Sequence, residues 1–212
     1  MPLILKEKIG IKGLLGVWRI EEEAIFFENQ LSLFETEVEE LMQLSERKKI
    51  EWLASRYLLH LLLGTDDRTP CLKDRYGKPH LMDTALEISL SHSRDLVAVV
   101  FEEVPCGVDI QYLVNKIHRI GKKFINEFEV EMTEGPNALL NMHAIWGAKE
   151  SIYKAHGRKG VDFKNEIRID PFLFDANGFT FDGLLQRETF SEEFSCHARL
   201  FEDFVLVYAK QV

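Results

Sequence analysis

At 212 residues the chain is long for one minimal domain and short for two independent ones, so it fits either one large domain or two small halves sharing a core. Hydrophobic residues make up 46% and charged residues 29%, with six prolines and no low-complexity tract, the balance of a soluble globular protein rather than a disordered one. A net charge of -9 argues against a general nucleic-acid binder, whose affinity comes from a basic surface.

The longest apolar stretch, 57–63, is interrupted by His60 and falls short of the roughly 20 residues of a membrane helix. The opening MPLILKEKIG lacks the apolar run and the small-residue cleavage pattern of a signal peptide, so the expected compartment is the cytoplasm. Cys71, Cys106 and Cys196 are odd in number, widely spaced and free of any C-x-x-C pairing; they read as reduced and structural. Basic residues gather at Arg47-Lys48-Lys49, at 73–78 and at 116–123. An acidic chain with basic clusters points to a compact anionic ligand.

In chain order, Thr36 with Glu39 has capping-box spacing and opens a helix that Ser45 re-caps or bends. From Ile50 the residues Leu53, Tyr57, Leu58, Leu61 and Leu62 continue an amphipathic stripe, and Gly64 stands where the helix should stop. Lys49, Trp52 and Arg56 share another face, for which a solvated basic surface is the plainest reading. The turn Tyr76-Gly77-Lys78-Pro79 precedes three expected strands at 86–90, 96–101 and 104–110. A second long helix is expected from about 137 to 156, stopped by Gly157 and burying Ile145, Ala148, Ile152 and Ala155. Strands follow at 166–169, 179–190, 194–201 and 204–209.

A helix followed by a strand meander thus occurs twice. The expected architecture is α+β and internally duplicated, with halves 1–104 and 105–212, each a long helix packed on a small antiparallel sheet and related by a pseudo-two-fold axis.

Two segments carry chemistry. Gly107-Val108-Asp109-Ile110-Gln111 sets a carboxylate on an apolar strand just after a glycine that admits a close neighbour; a turn-forming aspartate is the alternative. In Trp146-Gly147-Ala148-Lys149-Glu150-Ser151-Ile152-Tyr153-Lys154, residues Trp146, Glu150 and Lys154 follow one another at four-residue steps, with Lys149 and Tyr153 beside them on a stripe opposite the apolar one. An exposed Glu150–Lys154 ion pair is the alternative there. Taken together, two carboxylates from separate elements suit one hard divalent cation completed by water and phosphate oxygens.

These residues resemble the 4'-phosphopantetheinyl transferases, particularly the surfactin- and enterobactin-synthetase-activating types. The family signatures G-x-D-x-E/Q and W-x-x-K-E-x-x-x-K are met at every fixed position by 107–111 and 146–154, about 40 residues apart. Weaker agreement comes from Tyr76-Gly77-Lys78-Pro79-His80, from Ile88-Ser89-Leu90-Ser91-His92-Ser93 and from the segment 47–56.

The resemblance implies that Asp109 and Glu150 hold Mg²⁺ against the pyrophosphate of coenzyme A. It implies that Glu150, or a water beside it, takes the proton from a carrier-protein serine, and that Lys154 steadies phosphate charge. Arg47, Lys48 and Arg56 would meet the 3'-phosphate, Gly77, Lys78 and Pro79 the adenine, and Ser91, His92 and Lys149 would complete the cofactor-binding set. Gln111 departs from relatives with glutamate; a neutral amide is a weaker magnesium ligand and would act through water. The implied activity is transfer of phosphopantetheine to an apo acyl or peptidyl carrier protein, by a monomer without nucleic-acid or membrane partners. A non-catalytic relative that binds coenzyme A or the carrier, and a magnesium phosphohydrolase, are the competing readings. Arg119, Lys122 and Lys123 are candidates for meeting an acidic carrier, with a solvated charge run as the alternative. His60, His118, His143, His156 and His197 show no ligand spacing and receive no chemistry, and the aromatic-rich 163–181 reads as core.

Overall fold

The computed structural model describes residues 2–212, which fall into two compact units, the first ending at Glu103 and the second running from Val104 to Val212. The first unit contains β1 (Leu3–Ile9), β2 (Gly13–Arg19), α1 (Ala24–Gln30), α2 (Glu35–Met42), α3 (Glu46–Leu63), β3 (Cys71–Lys73), β4 (Pro79–Leu81), β5 (Glu87–Ser93) and β6 (Leu96–Glu102). The second contains β7 (Cys106–Tyr112), α4 (Ile117–Ile120), α5 (Ala138–His156), β8 (Ile167–Ile169), β9 (Phe179–Arg187), β10 (Phe190–Phe201) and β11 (Phe204–Gln211). The architecture is mixed helix and strand, with one antiparallel sheet in each unit. Among the described residues no helix is long and apolar enough to cross a membrane.

The first sheet runs β1-β2-β6-β5-β4-β3 and the second β7-β11-β10-β9-β8. In each, the strand preceding the long helix pairs with the unit's last strand, and the others return in reverse order. β6 reads Leu-Val-Ala-Val-Val-Phe-Glu and is buried throughout, as a continuous apolar run on a central strand should be. β11 is buried from Phe204 to Ala209 in the same way.

The long helices end as their glycines require. Gly64 and Gly157 close α3 and α5 in the left-handed region, at φ 65° and 72°, and donate their N–H groups to His60 and Tyr153 carbonyls. Ile145, Ala148, Ile152 and Ala155 of α5 are at most 1% exposed; each isoleucine contributes about 1.5–3 kcal/mol by leaving water. Phe172 and Phe179 pack on the buried Phe181 in the same core, and all three cysteines are free and buried.

Several expectations are corrected. The helix around Thr36 is not opened by a Thr36–Glu39 box: Glu37 instead reaches back to the Phe34 N–H at 3.2 Å, so α2 begins two residues earlier. Leu61 is 37% exposed, outside the buried stripe of α3. The face of Trp52 and Arg56 is not solvated, since both are buried against the first core. β7 starts at Cys106, after Pro105, which has no N–H to give a ladder.

Candidate active site

In the second unit the site begins with a glycine. A Cβ on Gly107 would overlap the Ser151 carbonyl oxygen, so only glycine lets β7 run directly against the backbone of α5. Ser151 seals the same packing by donating its hydroxyl to the Val207 carbonyl at 3.1 Å. The close approach brings Asp109, on β7, to Lys154, in the last turn of α5. Lys154 Nζ donates to Asp109 Oδ1 and to the Val108 carbonyl, each at 2.8 Å.

Glu150 lies one turn before Lys154, and its carboxyl is pushed up to about 7. Burial is the main cause and the Asp109 charge the second, with Lys154 pulling the other way. A Glu150 carboxyl made costly to ionise by burial and by the Asp109 charge is a fitting neighbour for a divalent cation, and carboxylate oxygens suit magnesium. No group of three or more His, Cys, Asp or Glu side chains suited to a metal occurs among the described residues. A cation there would have Asp109 and Glu150 as candidate carboxylate ligands and would take its other ligands from water and phosphate oxygens.

Gln111 sits beside Asp109 with its amide nitrogen 2.8 Å from Oδ2. Its amide oxygen is 3.1 Å from His143 Nδ1, and the His143 Nε2 receives the Val114 N–H at 3.1 Å. His143 is 1% exposed, and burial holds its pKa below the ordinary histidine value. Metal-ligand spacing did not reveal His143; its place seven residues before Glu150, two turns along one helix face, is the signal that could have done so.

Lys149 is not part of this group. It is fully buried, with Nζ at 2.6 Å from the Phe124 carbonyl, at 2.8 Å from the Phe163 and Ile167 carbonyls and at 2.8 Å from Glu129 Oε2. All its donors are occupied within the fold, which corrects its expected place on an outward stripe. It fastens the 124–129 segment and β8 to α5. Trp146 packs on Phe124 and Phe163, and Tyr153 on Phe163 from the next turn but one.

In the first unit, Glu51 of α3 joins two expected phosphate ligands: its Oε1 accepts Arg47 Nε at 3.2 Å and its Oε2 meets His92 Nε2 at 3.1 Å. Lys48 is exposed beside them. Strand alternation turns Ser91 inward, 8% exposed, and His92 outward, so the two side chains leave β5 on opposite faces. Arg56 is 4% exposed and stacks 4.2 Å over the Trp52 ring; its Nη1 donates to Ser55 Oγ, while Nε and Nη2 have no hydrogen-bond partner among the described residues. Gly77, at φ 92°, makes the 74–78 turn possible, Asp74 Oδ1 accepts the Tyr76 and Lys78 N–H groups, and Lys78 Nζ pairs with Glu87 at 2.6 Å. Pro79 then opens β4.

Residues 105–209 match the family model of the 4'-phosphopantetheinyl transferase superfamily. A curated protein named 4'-phosphopantetheinyl transferase gsp, from Aneurinibacillus migulanus, is 28% identical over 130 residues, which cover 60% of this chain and 52% of that protein. The chain thus spans about half the length of the curated relative it matches. Residues 105–209, which hold Asp109, Gln111, Glu150 and Lys154 in one unit, thus belong to the 4'-phosphopantetheinyl transferase superfamily.

Proposed function

We propose that the protein transfers the 4'-phosphopantetheine arm of coenzyme A to a serine hydroxyl of an apo acyl or peptidyl carrier protein, with Mg²⁺, releasing adenosine 3',5'-bisphosphate. The observation that carries the reading is the meeting of Asp109, Glu150 and Lys154 on β7 and α5, with the Glu150 carboxyl raised to about 7. A group titrating near neutrality is suited to taking a proton at working pH.

In this reading the serine oxygen forms a bond to the β-phosphorus of coenzyme A as the bond to the departing adenosine bisphosphate breaks. The serine proton passes to Glu150 or to a water beside it. Asp109 and Glu150 would hold the magnesium ion, which when bound supplies charge neutralisation at the pyrophosphate. Lys154 would place a cation where charge grows on the phosphate oxygens. Gln111 supports Asp109 rather than the metal, since its nitrogen faces the carboxylate.

Within the first unit, the buried and unsatisfied Arg56 supports a contact with the 3'-phosphate, while the exposed Arg47 and Lys48 lie more than two turns earlier on α3. His92 would reach a phosphate only by leaving Glu51. Arg119, Lys122 and Lys123 are exposed, and Phe128, five residues on in the chain, is 63% exposed; basic and apolar surface in this segment suits an acidic helical carrier. The shared strand order of the two sheets supports an internal duplication, with a nucleotide-binding half at 1–104 and a metal-bearing half at 105–212. A cytoplasmic monomer remains our reading of compartment and state.

The test is incubation with coenzyme A, Mg²⁺ and a panel of apo carrier proteins, read by mass spectrometry. Gain of one phosphopantetheine on a carrier is the expected outcome. Binding of coenzyme A without transfer would leave a non-catalytic relative, and release of phosphate without any acceptor would mark a phosphohydrolase.

A further inference from the structure

We propose that His143 is a positioning residue that fixes the orientation of the Gln111 amide and, through it, the Asp109 carboxylate; the catalytic part of this rests on the transferase reading above. His143 Nε2 lies 3.1 Å from the Val114 backbone N–H, which can only donate, and 3.3 Å from the Val114 carbonyl oxygen, so the N–H contact is the shorter. With that shorter contact made, Nε2 is the bare nitrogen of a neutral imidazole and Nδ1 carries the hydrogen. That hydrogen lies toward Gln111 Oε1, 3.1 Å away, so Oε1 is the accepting end of the amide.

The opposite end is fixed independently. Gln111 Nε2 faces Asp109 Oδ2 at 2.8 Å and, more distantly, the His143 carbonyl at 3.4 Å. A flipped amide would set its oxygen against a carboxylate and a carbonyl while leaving the Nδ1–H of a 1%-exposed histidine opposite an NH₂ group. Gly147 completes the seat: a Cβ there would come within 3.0 Å of Gln111 Nε2 and 2.8 Å of Val207 Cγ2. The chain Val114 N–H to His143 to Gln111 to Asp109 thus has one consistent direction of donation. It makes Gln111 a donor to the carboxylate, with its oxygen already engaged elsewhere, and assigns His143 the outer-shell role that second partners of metal-binding carboxylates fill.

Two measurements test this on the full chain. Two-bond proton–nitrogen correlation spectra of ¹⁵N-histidine-labelled protein should show His143 protonated at Nδ1 and bare at Nε2, and the Gln111 side-chain amide protons should exchange slowly, becoming fast in His143→Leu. A His143 ring protonated at Nε2, or Gln111 amide protons unaffected by His143→Leu, would overturn the proposal. In transfer assays, His143→Leu and Gln111→Leu should each lower kcat by about tenfold with the KM for coenzyme A unchanged, and the double variant should be no worse than either. Additive losses would mean that His143 does not act through Gln111. If the unsubstituted chain transfers nothing, the transferase reading fails, while the tautomer and the amide exchange still decide the hydrogen-bond direction.

Discussion

The Lys154 ammonium is held 2.8 Å from Asp109 Oδ1, tying the last turn of α5 to the middle of β7. The same cation lowers the cost of ionising Glu150 one turn away. Lys154→Met should therefore cut the rate of transfer by about 10²–10³-fold, the size of effect seen when one preorganised electrostatic donor is lost. The chain stays folded, because the ammonium is a quarter exposed and Asp109 keeps its Gln111 partner. Transfer kinetics beside thermal melts check this; a kcat within twofold of the unsubstituted chain would remove Lys154 from the chemistry.

A pH dependence follows from Glu150. Its folded carboxyl titrates at about 7 while the unfolded chain releases the same proton near 4.5. Between those values the folded state binds more protons than the unfolded one, so metal-free stability falls as pH rises through this window and levels off above it. A divalent cation needs the deprotonated carboxylate, so apparent Mg²⁺ affinity should climb across the same window, with up to one proton released, and flatten above about pH 7. Calorimetric titrations in buffers of different ionisation enthalpy measure both quantities. An affinity independent of pH between about 5 and 7 would contradict the assignment.

Much of this was legible in the sequence where a local rule and a tertiary contact agree. Gly64 and Gly157 stop α3 and α5 because a left-handed cap is a local demand, and the Ile145–Ala155 stripe is buried because a 3.6-residue period is enough to place it. Glu150 and Lys154 fall one turn apart for the same reason. What spacing could not supply is the identity of the irregular segments that meet a helix face. Lys149 stands four residues after Ile145, beside the buried stripe, yet its burial depends on carbonyls at Phe124, Phe163 and Ile167 and on Glu129. Trp52 and Arg56 look like a basic surface until the first core closes over them. β1 and β2 were not foreseen either; β1 carries Lys6, Glu7 and Lys8 in a row, which breaks the two-residue alternation a strand reading needs.

Lys149 and Glu129 give the clearest stability prediction, since both side chains are fully buried. Among the described residues, Lys149→Met would leave the Glu129 carboxylate the Asn126 and Ile169 backbone N–H donors and no paired cation. Breaking such a pair costs about 3–5 kcal/mol, and neutralising the stranded partner should restore part of it. Urea unfolding of Lys149→Met and of the double variant with Glu129→Gln measures both. Equal stability of the single and double variants would show that the charge is not the source of the loss.

Arg56 should behave in the opposite sense. Its guanidinium is buried over Trp52, its pKa is lowered first by that burial, and two of its nitrogens lack partners. A buried cation that Glu40 attracts without a salt bridge among the described residues is a cost to the fold unless a ligand anion meets it. Arg56→Met keeps an apolar stem against the indole and removes that cost, so urea unfolding should show stability equal to or above that of the unsubstituted chain. If the guanidinium meets the 3'-phosphate, the same variant should raise the KM for coenzyme A by about tenfold or more, the strength of a charge-assisted hydrogen bond in a dry setting. Dephospho-coenzyme A, which lacks that phosphate, separates the two effects: Arg56→Met should leave its KM unchanged. An equal rise for both substrates would mean that Arg56 shapes the pocket without touching the phosphate, and a loss of stability would mean that the cation has a partner in the fold.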